Sequence, residues 1–263
     1  MMRFRNQFLG VLLIALGIVS LRADEILNSL RGTCSITVST EPDRFDLRLD
    51  RGPCVDHRDC HESNLQQPLN AFAGLTIDDM RREGAHIDAV LTAEAGRLTC
   101  SGSIRDSKLT GDFTFVPNPA FVARMKELGI TGIDSEKLQA YTLFHIEASW
   151  VKSLQEAGVT GIDASNLIAL KIFKVNSDYV KRLAALGYPK LPAEKLIAMS
   201  VHGVDTADIK EVQAMGYKPT VDELIQMRIF KVTPDFIQRM QAKGFNNLTI
   251  SKLVQIRIFK LAE

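Results

Sequence analysis

The sequence predicts an α+β protein: a small antiparallel β-sheet module followed by an α-solenoid of five helical hairpins, each ~29 residues long. Two observations carry the solenoid. Glycines stand at Gly129, Gly158, Gly187, Gly216 and Gly244, spaced 29, 29, 29 and 28 residues apart. The pentapeptide KIFKV at 171–175 returns as RIFKV at 228–232 and RIFKL at 257–261, and TLFHI at 142–146 and SVHGV at 200–204 fill the same slot. A third observation carries the sheet: period-two alternation of apolar residues, confined to the first half. The predicted organisation is a signal peptide or N-terminal anchor over 1–23, the sheet module over 24–116 and the repeats over 117–263.

Arg3 and Arg5 precede an apolar run of 14 residues, Phe8 to Leu21, with Ala23 as a cleavage position. A membrane-spanning helix needs about 20 apolar residues, so the run reads as a secretory signal. Leu21 suits a cleavage site poorly, which keeps an uncleaved anchor open. The expected location is outside the cytoplasm, periplasmic or extracellular, with a tether if the anchor is retained. A hydrophobic content of 46% with 24% charged residues excludes a disordered or collagen-like chain. Residues 24–116 carry 10 Lys+Arg against 16 Asp+Glu, net −6, and residues 117–263 carry 19 against 15, net +4. That asymmetry suits a solvated surface, or docking of one half on the other or on a charged partner.

In the front module, CSITVS (34–39), FDLRL (45–49), HIDAVLTA (86–93), RLTCSGSI (97–104) and DFTF (112–115) alternate as strands, the last three forming a meander. One helix is predicted between them, capped by Thr76 and Asp79, stapled by Leu75 and Met80 and ended by Gly84. All four cysteines, Cys34, Cys54, Cys60 and Cys100, lie in this half, and an even count in an exported chain favours disulfides. Cys34 and Cys100 fall on the apolar sides of their strands, where they pair or remain buried thiols. CVDHRDCH (54–61) sets Cys54, His57, Cys60 and His61 together, ligand types that suit zinc. Their spacing matches no familiar finger, so a Cys54–Cys60 disulfide is the simpler reading. The metal site remains the alternative.

Each repeat spells two helices. In the fifth, Thr233 caps, Pro234 takes the first position, and Phe236, Ile237 and Met240 form one face before Gly244 ends the helix. Thr249, Asp134 and Asp163 cap the second helices, which are largely apolar and read as the inner ones. Eight residues before the glycine stands an aromatic, Phe121, Trp150, Tyr179 or Phe236, except that the fourth unit has Asp208. Phe144, Phe173, Phe230 and Phe259 read as core between repeats.

Lys171, Arg228 and Arg257 recur along the second helices, and Lys174, Lys231 and Lys260 at their ends. They either complement helix C-termini or form a basic ladder for an acidic partner. The last inner helix stays apolar through Leu253, Ile256 and Phe259, so a partner, a second copy giving a homodimer, or the front module is expected to cover it.

No HExxH, G-x-S-x-G, Walker loop or dinucleotide fingerprint occurs, so no catalytic residue and no cofactor is assigned. Two glycine pairs, Gly129 with Gly132 and Gly158 with Gly161, suggest a phosphate-binding hairpin. The other units abandon it, and the near-neutral charge argues against nucleic acid.

The stretch GSIRDSKLTGDFTFVPNPAFVARMKELG at 102–129, followed by LIALKIFKV, SVHGV and KVTPDFIQRMQAKGF, resembles a known arrangement. It is similar to the extracytoplasmic C-terminal region of bacterial membrane proteins related to the beta-lactam-sensing antirepressor metallopeptidases. There, a sheet module with an FTFxPNPxF junction precedes repeats of this kind. The resemblance covers about residues 70–263, but the HExxH site and the multi-span membrane domain are absent, so no catalytic residue carries over. It implies a sensor-like or adaptor module outside the cytoplasmic membrane.

The function expected is therefore non-enzymatic: binding a protein or peptide partner at the cell envelope, a membrane protein among the candidates. The alternatives are a metal-binding or metal-sensing protein using the Cys54–His61 loop, and a sheet module that holds a small molecule.

Overall fold

The structure, a computed structural model, describes residues 27–52 and 62–261. Among the described residues seven strands form one antiparallel sheet: β1 (Leu30–Val38), β2 (Arg44–Asp50), β3 (Glu62–Pro68), β4 (Phe72–Ala73), β5 (His86–Ala93), β6 (Gly96–Arg105) and β7 (Lys108–Pro117). Their order is β3-β2-β1-β7-β6-β5-β4, so the first strand pairs with the last and joins two meanders. The alternation read from the sequence sets the two faces. Ile36, Leu47, Leu98 and Phe113 point into the core, while Arg48, Thr99 and Asp112 face out.

Two strands were not legible. ESNLQQP carries a single apolar residue, Leu65, and becomes edge strand β3 by pairing with β2, where Leu65 lies opposite Leu47. Strand β4 is too short to show a period. The predicted helix at 76–84 is also corrected. Its caps exist, with Asp79 N–H donating to Thr76 Oγ1 at 3.2 Å and Thr76 N–H to Asp79 Oδ2 at 3.0 Å. Leu75 and Met80 are buried as a staple requires. Yet only one 3-10 turn forms, Asp79–Arg81, because the chain must return at once to the sheet, where Gly84 N–H donates to Ile104 O at 2.9 Å.

A disulfide joins Cys34 on β1 to Cys100 on β6, with β7 lying between those strands and a Cα–Cα distance of 6.0 Å. Strands two apart in a flat sheet lie about 9.6 Å from each other, so the sheet curls here. The register shows how: Cys34 faces Gly111, and Gly111 faces Gly102. A Cβ on Gly111 would sit 2.0 Å from Ser101 O, and one on Gly102 would sit 2.2 Å from Thr110 O. Without side chains at this pair the strands close up and the sulfur bridge passes over β7.

Among the described residues ten helices follow: α1 (Pro119–Glu127), α2 (Ser135–Leu143), α3 (Ala148–Glu156), α4 (Leu167–Ile172), α5 (Ser177–Ala185), α6 (Ala193–Val201), α7 (Thr206–Ala214), α8 (Val221–Ile229), α9 (Pro234–Ala242) and α10 (Ile250–Phe259). Side-chain caps predicted from the sequence start α2, α9 and α10. The Asp134 carboxylate accepts from Lys137 N–H at 2.7 Å, and Thr233 Oγ1 accepts from Phe236 N–H at 3.2 Å. Asp163 caps only a turn, so α4 begins later, at Leu167.

Among the odd helices α1 packs on α3, α3 on α5 and α7 on α9; among the even ones α4 packs on α6, α6 on α8 and α8 on α10. Equivalent hydrogen bonds join neighbouring units. The Gln155 and Gln213 side chains donate to Leu128 O and Leu186 O, each at 2.8 Å. Tyr141 donates its buried hydroxyl to Ala164 O at 2.5 Å. The sheet meets the helices through α2, which packs on β5, β6 and β7. Glu94 adds a latch: one carboxylate oxygen accepts from Ala148 N–H at 3.1 Å, at the start of α3, and faces Arg124 at 3.4 Å.

Candidate functional site

The recurring cations on the even helices sit inside their own units. Lys171 lies 5.0 Å above the Trp150 ring and Arg257 lies 4.6 Å from the centre of the Phe236 ring. In the fourth unit, where the aromatic is Asp208, Arg228 instead pairs with that carboxylate at 2.7 Å. In the third unit Tyr179 has Ser200 as its partner on α6. The residue types on the two helices of a unit thus match one another. Arg228 and Arg257 also reach back to the carbonyls of His202 and Lys231, at 3.4 and 3.3 Å. Those carbonyls lie at the ends of the preceding even helices, so the guanidinium groups satisfy orphan acceptors there. As a free basic ladder these three positions are therefore compromised. Each is engaged within the fold.

Lys174, Lys231 and Lys260 are exposed and share a backbone state, with φ of 56°, 54° and 50°; His145 at 49° and Gly203 at 66° hold the same place in the other units. Each even helix closes on a left-handed residue, a conformation glycine adopts freely. The third unit's departure from Lys to Gly keeps the geometry.

The aromatics beside them overturn an expectation. Phe173, Phe230 and Phe259 are 40%, 37% and 66% exposed rather than core between repeats. They stand at or just past the last helical turn, beyond the packed stretch of the even row. With them, Ile172, Val201, Ile229 and Ile258 are exposed by 46–47%, whereas their first-unit equivalent, Leu143, is 5% exposed. Because the even helices pack side by side, and Arg228 and Arg257 tie neighbouring ends together, these residues recur along the same end of the even row. Leu253 is buried by its own chain at 1% exposure, so it offers nothing to a partner; Ile256 is half-buried, and Phe259 alone of that trio is open.

On the outer face of the sheet, Ser101 donates to Asp88 at 2.6 Å and stands 3.3 Å from His86 Nε2. The three residue types are those of a hydrolase triad, but the order differs. The carboxylate takes the serine proton's hydrogen bond directly, whereas a nucleophile needs His between the two. Cys54, His57, Cys60 and His61 lie outside the described residues, so the loop's disulfide and metal readings have no geometry here. Among the described residues no cluster of three His, Cys, Asp or Glu side chains could hold a metal ion, and no helix is long and apolar enough to cross a membrane.

His145 is held below its ordinary pKa by burial, with the nearby Lys171 ammonium acting in the same direction. Burial raises Tyr179 to about 12, with the Asp205 carboxylate adding to the rise. These shifts belong to packing rather than to a reactive cleft. No family model matches the chain, and no curated protein matches it.

Proposed function

We propose that this protein is an exported, non-enzymatic adaptor whose repeats form an α-solenoid of five hairpins and hold a protein partner along the edge made by the even-helix ends. The observation that carries this reading is the recurrence of exposed Ile, Val and Phe at equivalent places in successive units. Exposed apolar groups scattered singly are ordinary, but a contiguous row marks an interaction surface. The disulfide suits an oxidising compartment, and the resemblance to envelope sensor proteins points the same way.

A photo-crosslinking residue placed at Phe230 tests the reading in the native host, with one at Lys218, in the loop before α8, as control. A discrete adduct formed from position 230 and not from 218 is the expected outcome. Equal labelling from both positions, or none from 230, overturns it.

A further inference from the structure

The apolar edge occurs in five copies, and the chain itself covers the first of them. At the end of α2 the Leu143 side chain is buried, and its carbonyl accepts a hydrogen bond from the Gln67 side-chain amide at 2.9 Å. Gln67 belongs to β3, the edge strand of the sheet, and is itself 3% exposed. In the next three repeats the same place is open. Among the described residues no hydrogen bond reaches the equivalent carbonyls of Ile172, Val201 or Ile229, and those side chains are half in solvent. The last carbonyls of a helix have no intrahelical donor, so each open end offers an acceptor beside an apolar patch.

We propose that the open copies take an extended segment of the partner protein whose side-chain amide donates to the terminal helix carbonyl, as Gln67 does at the first copy, with an apolar neighbour against the Ile/Val position. The surface starts at an interface the fold already makes, because α2 packs on β5, β6 and β7 and its Tyr141 hydroxyl reaches Ala164 O, just before α4. Gln67 itself is committed to the Leu143 carbonyl and cannot serve a second site. An Asn or Gln on an extended segment is the recognising group. It satisfies a carbonyl without bringing charge into a contact whose surroundings carry both Lys174 and Asp178, Lys231 and Asp235.

The inference rests on the adaptor reading and specifies its partner's chemistry. The test uses the labelled full chain and the blocked peptide ESNLQQPLN, residues 62–70 of this sequence, followed by backbone amide shifts. Saturable shifts at 172–175 and 229–232, at least threefold weaker with the Gln67→Leu peptide and lost from 229–232 in a folded Ile229→Ser variant, are expected. No shifts at millimolar peptide, shifts confined to the β2–β3 edge, or equal shifts with the Gln67→Leu peptide overturn it. So does perturbation of the edge by phosphatidylglycerol vesicles with none by peptide, which would assign it to a lipid surface. If the peptide fails while crosslinking from position 230 persists, only the strand chemistry is wrong. Failure of both removes the adaptor reading as well.

Discussion

Arg228 on α8 holds the Asp208 carboxylate on α7 at 2.7 Å, in the place where Arg257 and Lys171 lie over aromatic rings. Both partners are more than a third exposed, so the pair contributes at most about 1 kcal/mol. A cation over a ring at an exposed site contributes about 0.5–1 kcal/mol. Asp208→Phe is therefore expected to change stability by less than about 1 kcal/mol in urea unfolding, the cation being the element that matters. Asp208→Lys sets two cations together and costs more. If the two variants lose equal stability, the matching of residue types is not an energetic relationship.

The glycine pair under the disulfide gives a second expectation. Gly111→Ala places a methyl group against Ser101 O and should cost more than about 3 kcal/mol, among the large effects that come from steric conflict in a packed interior. Replacing both Cys34 and Cys100 by Ser should cost about 4 kcal/mol by the chain-entropy estimate for a separation of 66 residues. A Gly111→Ala protein that melts with wild type would show that the sheet does not curl as described.

Stability should fall in alkali. Tyr179 has a folded pKa of about 12 against about 10 in the unfolded chain. The unfolded state therefore loses its proton first, and the contribution is complete below pH 10 and is lost as pH rises from 10 to 12. Tyr179→Phe removes that part of the slope, although it also leaves the Val204 carbonyl without its 3.0 Å hydrogen bond. Urea midpoints at pH 8, 10 and 11 read the difference. An unchanged slope in the Phe variant sinks the assignment.

The left-handed residues give a fourth. At Lys231, with φ of 54°, Val should cost about 1–2 kcal/mol more than the lysine, because its second γ carbon crowds the backbone in a region that β-branched residues avoid. Lys231→Gly should cost almost nothing or stabilise. Equal losses for both would mean that the lysine side chain, not the backbone state, is what the position requires.

Much of this was legible because periodicity reports directly on faces. The alternation in HIDAVLTA gave β5 without error, and each of the five regularly spaced glycines falls two residues past an odd-numbered helix. The match between Asp208 and Arg228 was also visible in principle, since the one unit that lost its aromatic kept an arginine opposite. What failed has identifiable causes. The Thr76–Asp79 cap is a local signal, and the pull of β6 on Gly84 outweighs it. Strand β3 has almost no apolar face of its own and exists through its neighbour. The recurrence of Phe173 and Phe230 could mean packing or presentation, because residues kept for either reason repeat with the same period. Only their position at the last helical turn separates the two.

The pairing of β1 with β7 sets a difference in folding tempo within one chain. Leu30 must find Phe115 across nearly the whole module, whereas the helices other than α2 each touch one about thirty residues away. Rates fall as contacts become less local, so the helices should form while the sheet is still open. During that interval the side of α2 that meets β5, β6 and β7 stands bare as the surface on which those strands later assemble. Chaperone demand and early aggregation should both concentrate at that one helix.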